Sequence, residues 1–529
     1  MHLRLKKIHW AFAFTVILAL LLATTIGCGP DAEPAPEPDA AGEPGESFDR
    51  IVVALATDAR ILDPDLDQGL PMQYRHIFSS LLTRDEQGHL ETDLAEDYEV
   101  VDDRTLVFKL REDVVWHDGE PFTADDVVFT WKRMSDETRD PISTNWPRYD
   151  PWMDSIEALD DYTVQINLSR VWAPALGDLV NFFIYPEHYI NDVGDEEFGL
   201  QPIGTGPYKV VDWQKDQFLK MEAHEDYFGG VPPVAELQID IVPEAYTRTQ
   251  ALLAGDVHIT ISPDQPLIPS IKDSAEAHLY EVPGGSIRFI QFPSVHARRA
   301  DTPEIEDKRV RQALNYAIDK ETIAETVGAG YHVVTPGPWT PGHWAYPDNA
   351  EELAYDYDPE KARDLLIEAG YEDGFTLYLG TPVGFIAQDK EMVESMIPYF
   401  EAIGIDVEFM AYEWSTYGPM RDDNVFSAYF LGLSGAADDP CVRFYMTDEG
   451  RTRGWHDTNP EFNEIILAGL EIMDHEERTQ YYQEVVFPAV IDEAPWIFLF
   501  ASNQLYGVSS ELEIVPRYDG WVNMMEISW

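Results

Sequence analysis

Cysteine is nearly absent from this 529-residue chain, with only Cys28 and Cys441 present. No disulfide framework can staple it, so stability has to come from buried apolar cores. Positive charge is scarce as well. Against 97 Asp and Glu stand 36 Lys and Arg, a net charge of −61, and the acids are spread along the chain. Such a surface repels phosphate backbones, which argues against nucleic acid as a partner. Lysine is the scarcer base, 12 residues against 24 arginines. Few lysines among many carboxylates suit a protein working in high salt, where self-repulsion is screened. Long apolar runs are missing beyond residue 26, so nothing later reads as a membrane span. Catalytic signatures are missing too. There is no Ser in a GxSxG elbow, His224-Glu225 lacks the second His of a zinc protease, and Cys441 has no His nearby in sequence. A hydrolase survives only as a triad converging from distant positions. The expectation is a non-enzyme with no cofactor and no bound metal.

What is present begins at the N-terminus. Arg4, Lys6 and Lys7 precede an apolar stretch, residues 11–26, and Gly27-Cys28 follows. These are the parts of an export signal. The stretch is also just long enough to span a bilayer uncleaved, and the cysteine decides between the two readings. Ile26-Gly27-Cys28 resembles a bacterial lipobox, with Thr25 where that motif usually carries Leu. The resemblance implies a signal peptide over 1–27, lipidation of Cys28, and a body held outside the cytoplasm, in the periplasm or on the cell surface. Residues 28–47 are rich in Pro, Ala and acid and lack any base, the composition of a disordered tether. With Cys28 lipidated, Cys441 has no disulfide partner.

About 480 residues remain, too many for one core, so two or more domains are expected. Short strand-like runs recur: 51–56, 105–110, 163–168, 236–242, 256–261 and 287–292. Helical patterns lie between them. One, over 124–134, starts behind Thr123; one runs over 308–327 with Val310, Leu314, Ala317 and Ile318 on a single face; others cover 359–370, ended by Gly370, and 390–404. Residues 359–412 read helix, strand, helix, strand, as in a parallel βαβ layer. Residues 84–168 carry closely spaced strands and turns, which predicts an antiparallel insertion. The chain is α/β without a fixed repeat.

Two motifs look chemical and read better as architecture. Trp116-His117-Asp118-Gly119 is a turn signal. Gly204-Thr205-Gly206-Pro207-Tyr208 looks like a phosphate loop but runs into a strand, whereas such loops lead into a helix.

Residues 110–133 (LREDVVWHDGEPFTADDVVFTWKR) resemble the signature of the family 5 extracellular solute-binding proteins of ABC importers. Further segments match in order: 203–210, 224–239, 309–323, 357–371, 400–410 and 493–500. The resemblance covers residues 50–529. It implies a bilobal periplasmic-binding-protein-like clamp of type II, with an extra subdomain inserted in the first lobe. The first lobe would comprise 48–290 and, on return, 500–529; the second, 291–499. Hinge crossings are expected near Phe289–Pro293 and Phe498–Ser502. The implied partners are a small solute, a peptide by family default, and the permease and ATPase subunits of an importer; the protein would act as a monomer. A sensor role feeding a receptor is the alternative from another class.

The loop at 431–445 bears on the cargo. In peptide-binding relatives a Gly-Trp pair is followed three residues later by an Asp that holds the peptide ammonium. Aligned on Asp439-Pro440, this chain has Gly432-Leu433 and then Ala436. Losing one partner of a buried charge pair costs about 3–5 kcal/mol. Asp438 or Asp439 is the replacement candidate, unless both merely shape the turn. An oligosaccharide or a metal complex is therefore the second cargo reading. Trp414 and Tyr417 are candidates to stack on it, with Trp339, Trp344 and Trp455 as further aromatics. Asp58 and Arg443 are pocket candidates by position.

Overall fold

The structure, a computed structural model, describes residues 48–67, 72–86, 88–293, 302–341, 343–383, 388–423, 425–434, 459–517 and 519–529. Its backbone is a mixed sheet of eleven strands. On one side Phe48–Leu55 runs parallel to Val234–Ile241 and to Ile259–Ile261, and Phe218–Ala223 and Tyr208–Gln214 continue the sheet antiparallel. On the other side Thr376–Val383 runs parallel to Asp406–Glu413 and Ala428–Ser434. Two long antiparallel strands, Ala277–Gln291 and Trp496–Ser509, lie between these layers and belong to both. The short strand His332–Val334 pairs with the second of them.

Each side closes around its own apolar core. The first gathers Ile51, Val53, Leu237, Ile239, Tyr506 and Val508; the second gathers Ile287, Phe289, Leu377, Met392, Phe430 and Trp496. The molecule is therefore bilobal. The cores part between Val282 and Ile287 on one long strand and between Phe500 and Tyr506 on the other. Pairing breaks at the same level. Val282 pairs with Gln504 and the next pair is Ser286 with Ser502, so Pro283, Gly284 and Gly285 face Asn503 alone. Gly284 sits at φ +72°, a left-handed backbone that glycine tolerates. The first crossing thus lies earlier than the expected Phe289–Pro293, and the second just after Phe498–Ser502. Residues 287–292 read as crossing because they are strand; in fact their apolar side chains are already committed to the second core.

Local structure follows local chemistry. Ala124–Ser135 is helical, and Asp126 reaches back to accept the Thr123 N–H at 3.0 Å. The expected βαβ layer appears as helix Pro359–Ala369, strand Thr376–Val383, helix Asp389–Ala402 and strand Asp406–Glu413. Gly370 ends the first helix at φ +90°. The insertion is a four-stranded antiparallel sheet in the order Ala95–Asp102, Thr105–Leu110, Thr163–Leu168, Met153–Asp160. One expectation needs correction. Residues 308–327 form two helices, Lys308–Tyr316 and Lys320–Thr326. Asp319 starts the second as its N-cap, accepting from Thr322 N at 3.0 Å and from Thr322 Oγ1 at 2.8 Å.

His117 ties the two chemical-looking turns together. Its Nε2–H donates to Gly206 O at 3.0 Å, and its Nδ1 accepts from Gly204 N at 3.1 Å. Burial pushes the imidazole down to about 3, so it is neutral, as one donor and one acceptor require. A Cβ on Gly204 would stand 1.9 Å from the Ile77 carbonyl oxygen. These glycines permit close backbone packing, and Tyr208 opens a strand directly behind them. Among the described residues no group of His, Cys, Asp and Glu is placed to hold a metal, and no helix is long and apolar enough to cross a membrane.

Candidate functional site

Ligands in open α/β layers collect at the carboxyl ends of the parallel strands. In the second lobe those ends lead into helices beginning at Asp389 and Trp414. The long strand 277–291 enters this region just past its bulge. Alternation along a strand sends Ser286 and Arg288 to one face. Across the ladder Ser286 pairs with Ser502, Arg288 pairs with Phe500 and with Gly432, and Ser502 pairs with His332. The sheet register alone therefore assembles Arg288, His332, Ser502 and Ser286 from three strands on one face.

The side-chain contacts bear out that assembly. His332 Nδ1 and Ser502 Oγ are 2.8 Å apart, and the His332 ring stacks on Phe500 at 5.6 Å between centroids. Burial, then the Arg288 charge, lowers the His332 pKa to about 4, so the ring is neutral at physiological pH. Its Nε2 is buried without a hydrogen-bond partner among the described residues. Arg288 is half-buried. Among the described residues its Nη1 reaches only the carbonyl of the neighbouring Ile287, at 3.3 Å, and its buried Nε has no partner. Burial lowers its pKa to about 10, with the Asp389 carboxylate opposing. It stays a cation. Among the described residues no carboxylate stands within ion-pair distance of it.

The residues expected from sequence are distributed as follows. Tyr417 is fully buried, packed on Phe426, and its hydroxyl donates to Phe430 O at 2.7 Å. Burial holds that hydroxyl well above its ordinary pKa, and no surface of the ring remains for a ligand. Trp414, one turn earlier, is 36% exposed with the Arg421 guanidinium 5.4 Å from its ring centre. Asp58 accepts from Trp213 Nε1 at 3.0 Å and from Asp216 N at 2.8 Å, so its carboxylate braces the first-lobe turn in which Asp216 has φ +60°. Trp339 is buried against Phe487 and Tyr482, and Trp344 lies on Tyr482. Ala436, Asp438, Asp439, Cys441, Arg443 and Trp455 lie outside the described residues, as does Cys28. The strand Ala428–Ser434 ends just before the first of these.

Arg288, His332 and Ser502 were not singled out from the sequence. Arg288 carried one signal, a charge inside the apolar run IRFIQF. For His332 and Ser502 there was none, since they are 170 positions apart and meet only through the sheet.

Comparison with known proteins agrees with this geometry. The family model described as bacterial extracellular solute-binding proteins, family 5 Middle, matches residues 89–454. Heme-binding protein A of Haemophilus influenzae is 31% identical over 461 residues, 82% of each chain. The dipeptide-binding protein of Escherichia coli is 28% identical over 451 residues, 79% of this chain and 82% of its own. Among solved structures, the ABC transporter-associated periplasmic binding protein DppA from Helicobacter pylori, in complex with the peptide STSA, superimposes with a TM-score of 0.80. It is 22% identical and covers 91% of this chain and 98% of its own. A two-core clamp that matches this family's model over residues 89–454, with a relative 31% identical over 82% of both chains, leaves one assignment: the chain belongs to the family 5 bacterial extracellular solute-binding proteins.

Proposed function

We propose that this protein captures a short peptide between its two lobes and delivers it to the permease of an ABC importer. The family is one of importer binding proteins, not enzymes. The observation that carries the reading is the bilobal sheet itself: two separate cores joined by two strands, with polar groups that have no partner among the described residues where the strands cross. Such a joint lets the lobes rotate, and a ligand favours the closed state by as much as it binds that state better. Asp438 or Asp439 would pair with the peptide ammonium and Trp414 would pack on a side chain. Arg443 is a further pocket candidate. Asp58 would shape the opposite wall through its turn. The lobes would divide as 48–290 with 500–529 and 291–499. A lipid on Cys28 would hold the protein, as a monomer, at the outer face of a membrane.

A non-peptide cargo is the second reading, and Ala436 favours it, because an ammonium site without its acid binds poorly. The names of the relatives, heme for one and dipeptides for another, support a family that changes cargo on one frame.

Native mass spectrometry of the purified protein, with the bound molecules released and fragmented, tests the peptide reading. A mixture of short peptides is expected. A single non-peptide mass would replace the peptide reading with the second one. Cys28→Ala tests the anchor: release from membranes is expected, and continued attachment would mean a retained transmembrane helix.

A further inference from the structure

The second lobe shows how this chain treats an arginine kept for structure. Arg311 is 1% exposed and spends its guanidinium on four backbone carbonyls, those of Ile305, Glu306, Glu493 and Ala494, and on the Glu493 carboxylate. In the first lobe Arg133 is held by Asp63 at 2.5 Å and by Asp195 at 2.7 Å. Both of these enclosed arginines have counter-charges and acceptors, as the cost of desolvation demands.

Arg288 is the contrast. It lies on the face where the long strands leave the second core, and its one hydrogen bond among the described residues, to Ile287 O, is long at 3.3 Å. Asp389 is near enough to raise its pKa but makes no ion pair with it. Beside it His332 keeps an unpartnered Nε2 while Ser502 engages Nδ1. In the tautomer where Ser502 donates to Nδ1, Nε2–H is a second free donor. A planar guanidinium fork and a neutral N–H donor stand together, and apart from Ile287 O they have no acceptor among the described residues.

We propose that Arg288, with His332 beside it, is the anchor for a carboxylate group on the cargo. The inference rests on the clamp reading and adds to it the chemical class the clamp selects. The guanidinium matches a carboxylate in shape, offering two parallel N–H donors to two oxygens. It matches in charge as well. A single cation balances a single negative charge, and with the Asp389 carboxylate already in its field a phosphate dianion would be left further under-compensated. Bound carboxylate would also supply what the fold withholds, a counter-charge for a desolvated cation. Arg288 is thus an unpaid cost in the empty protein and a source of affinity in the loaded one.

The test uses three probes at one ionic strength: methionyl-leucine, its C-terminal amide, and its N-acetyl derivative. Each is titrated into cargo-stripped wild-type protein and into Arg288→Gln and Arg288→Lys variants. Wild type should bind the free acid and the N-acetyl form, and should bind the amide at least tenfold more weakly. Arg288→Gln should erase that difference, and Arg288→Lys, which keeps the charge but not the fork, should fall between. Thermal melting separates anchoring from structure. Removing an unpaired cation should leave the melting temperature of Arg288→Gln equal to or above that of wild type. Equal binding of acid and amide, a wild-type preference surviving in Arg288→Gln, or a lower melting temperature in both variants would each overturn the anchor. If an acid-bearing cargo other than a peptide co-purifies and Arg288→Gln loses it, the anchor stands while the peptide reading fails. If the protein carries no cargo and binds none of the probes, the clamp reading falls and the anchor with it.

Discussion

Asp93 shows how strongly a single position can feel its enclosure. Its carboxylate accepts from Ser80 N at 2.9 Å, yet burial pushes its pKa up to about 7, against the pull of that bond and of Arg111 and Arg75. The sign of the consequence follows from linkage. A carboxyl that holds its proton more tightly when folded stabilises the fold while protonated, and that stability drains as pH rises from the unfolded value near 4 to the folded value near 7. The slope is at most about 1.4 kcal/mol per pH unit. Asp93→Asn, which keeps an oxygen for Ser80, should be more stable than wild type at pH 7.5 and should flatten the profile. Urea midpoints at pH 5 and 7.5 check this, and parallel profiles would contradict it. Gly204 is a second case. Gly204→Ala drives a Cβ to 1.9 Å from the Ile77 carbonyl oxygen, a backbone atom that cannot swing aside. Loss of soluble protein is expected, and a melting temperature near wild type would refute the packing role. Arg288 shows why a site residue hides in a sequence. In IRFIQF alternation sets the charge in line with Ile290 and Phe292, which gives no sign of a polar site, and only the register of the paired strands brings it to the face of Ser502 and His332.

Elements were legible wherever local chemistry marks its own ends. Pro359 and Gly370 bracket one helix, Thr123 and Asp126 open another, and 105–110 and 163–168 stand where their β-branched alternation put them. The helical face over 308–327 misled because Ala317 and Ile318 are buried and continue the apolar stripe, while the N-cap at Asp319 restarts the helix beneath it. Asp319→Ala removes that cap and should cost about 1 kcal/mol by chemical denaturation; no measurable loss would mean the break is set elsewhere. The bulge at 283–285 was not legible at all. Its Pro-Gly-Gly reads as a turn, and only pairing on both sides shows that the strand passes through it. Gly284→Ala forces a side chain into a left-handed backbone, with Thr340 Oγ1 at 3.2 Å from the new Cβ. A loss of about 1–2 kcal/mol is expected from the backbone strain. An unchanged denaturation midpoint would show that the joint does not need this geometry.

At the scale of the molecule, charge and division into lobes dominate. A net charge of −61 opposes compaction, and salt screens it, the Debye length falling from about 10 Å at 0.1 M to about 3 Å at 1 M. The melting temperature should therefore climb with sodium chloride across that range; a flat or falling curve would contradict a fold limited by self-repulsion. The two lobes were readable because seven matching segments lay in order along the chain. The cargo was less readable, because Ala436, Asp438 and Asp439 belong to a loop whose residue types admit more than one partner. The central claim, that two cores close on a solute about two shared strands, is tested most directly by small-angle X-ray scattering. The protein is measured with the cargo it carries and again after stripping and refolding. Closure predicts a smaller radius of gyration in the loaded form, restored when cargo is returned. An identical radius with and without cargo would contradict the clamp.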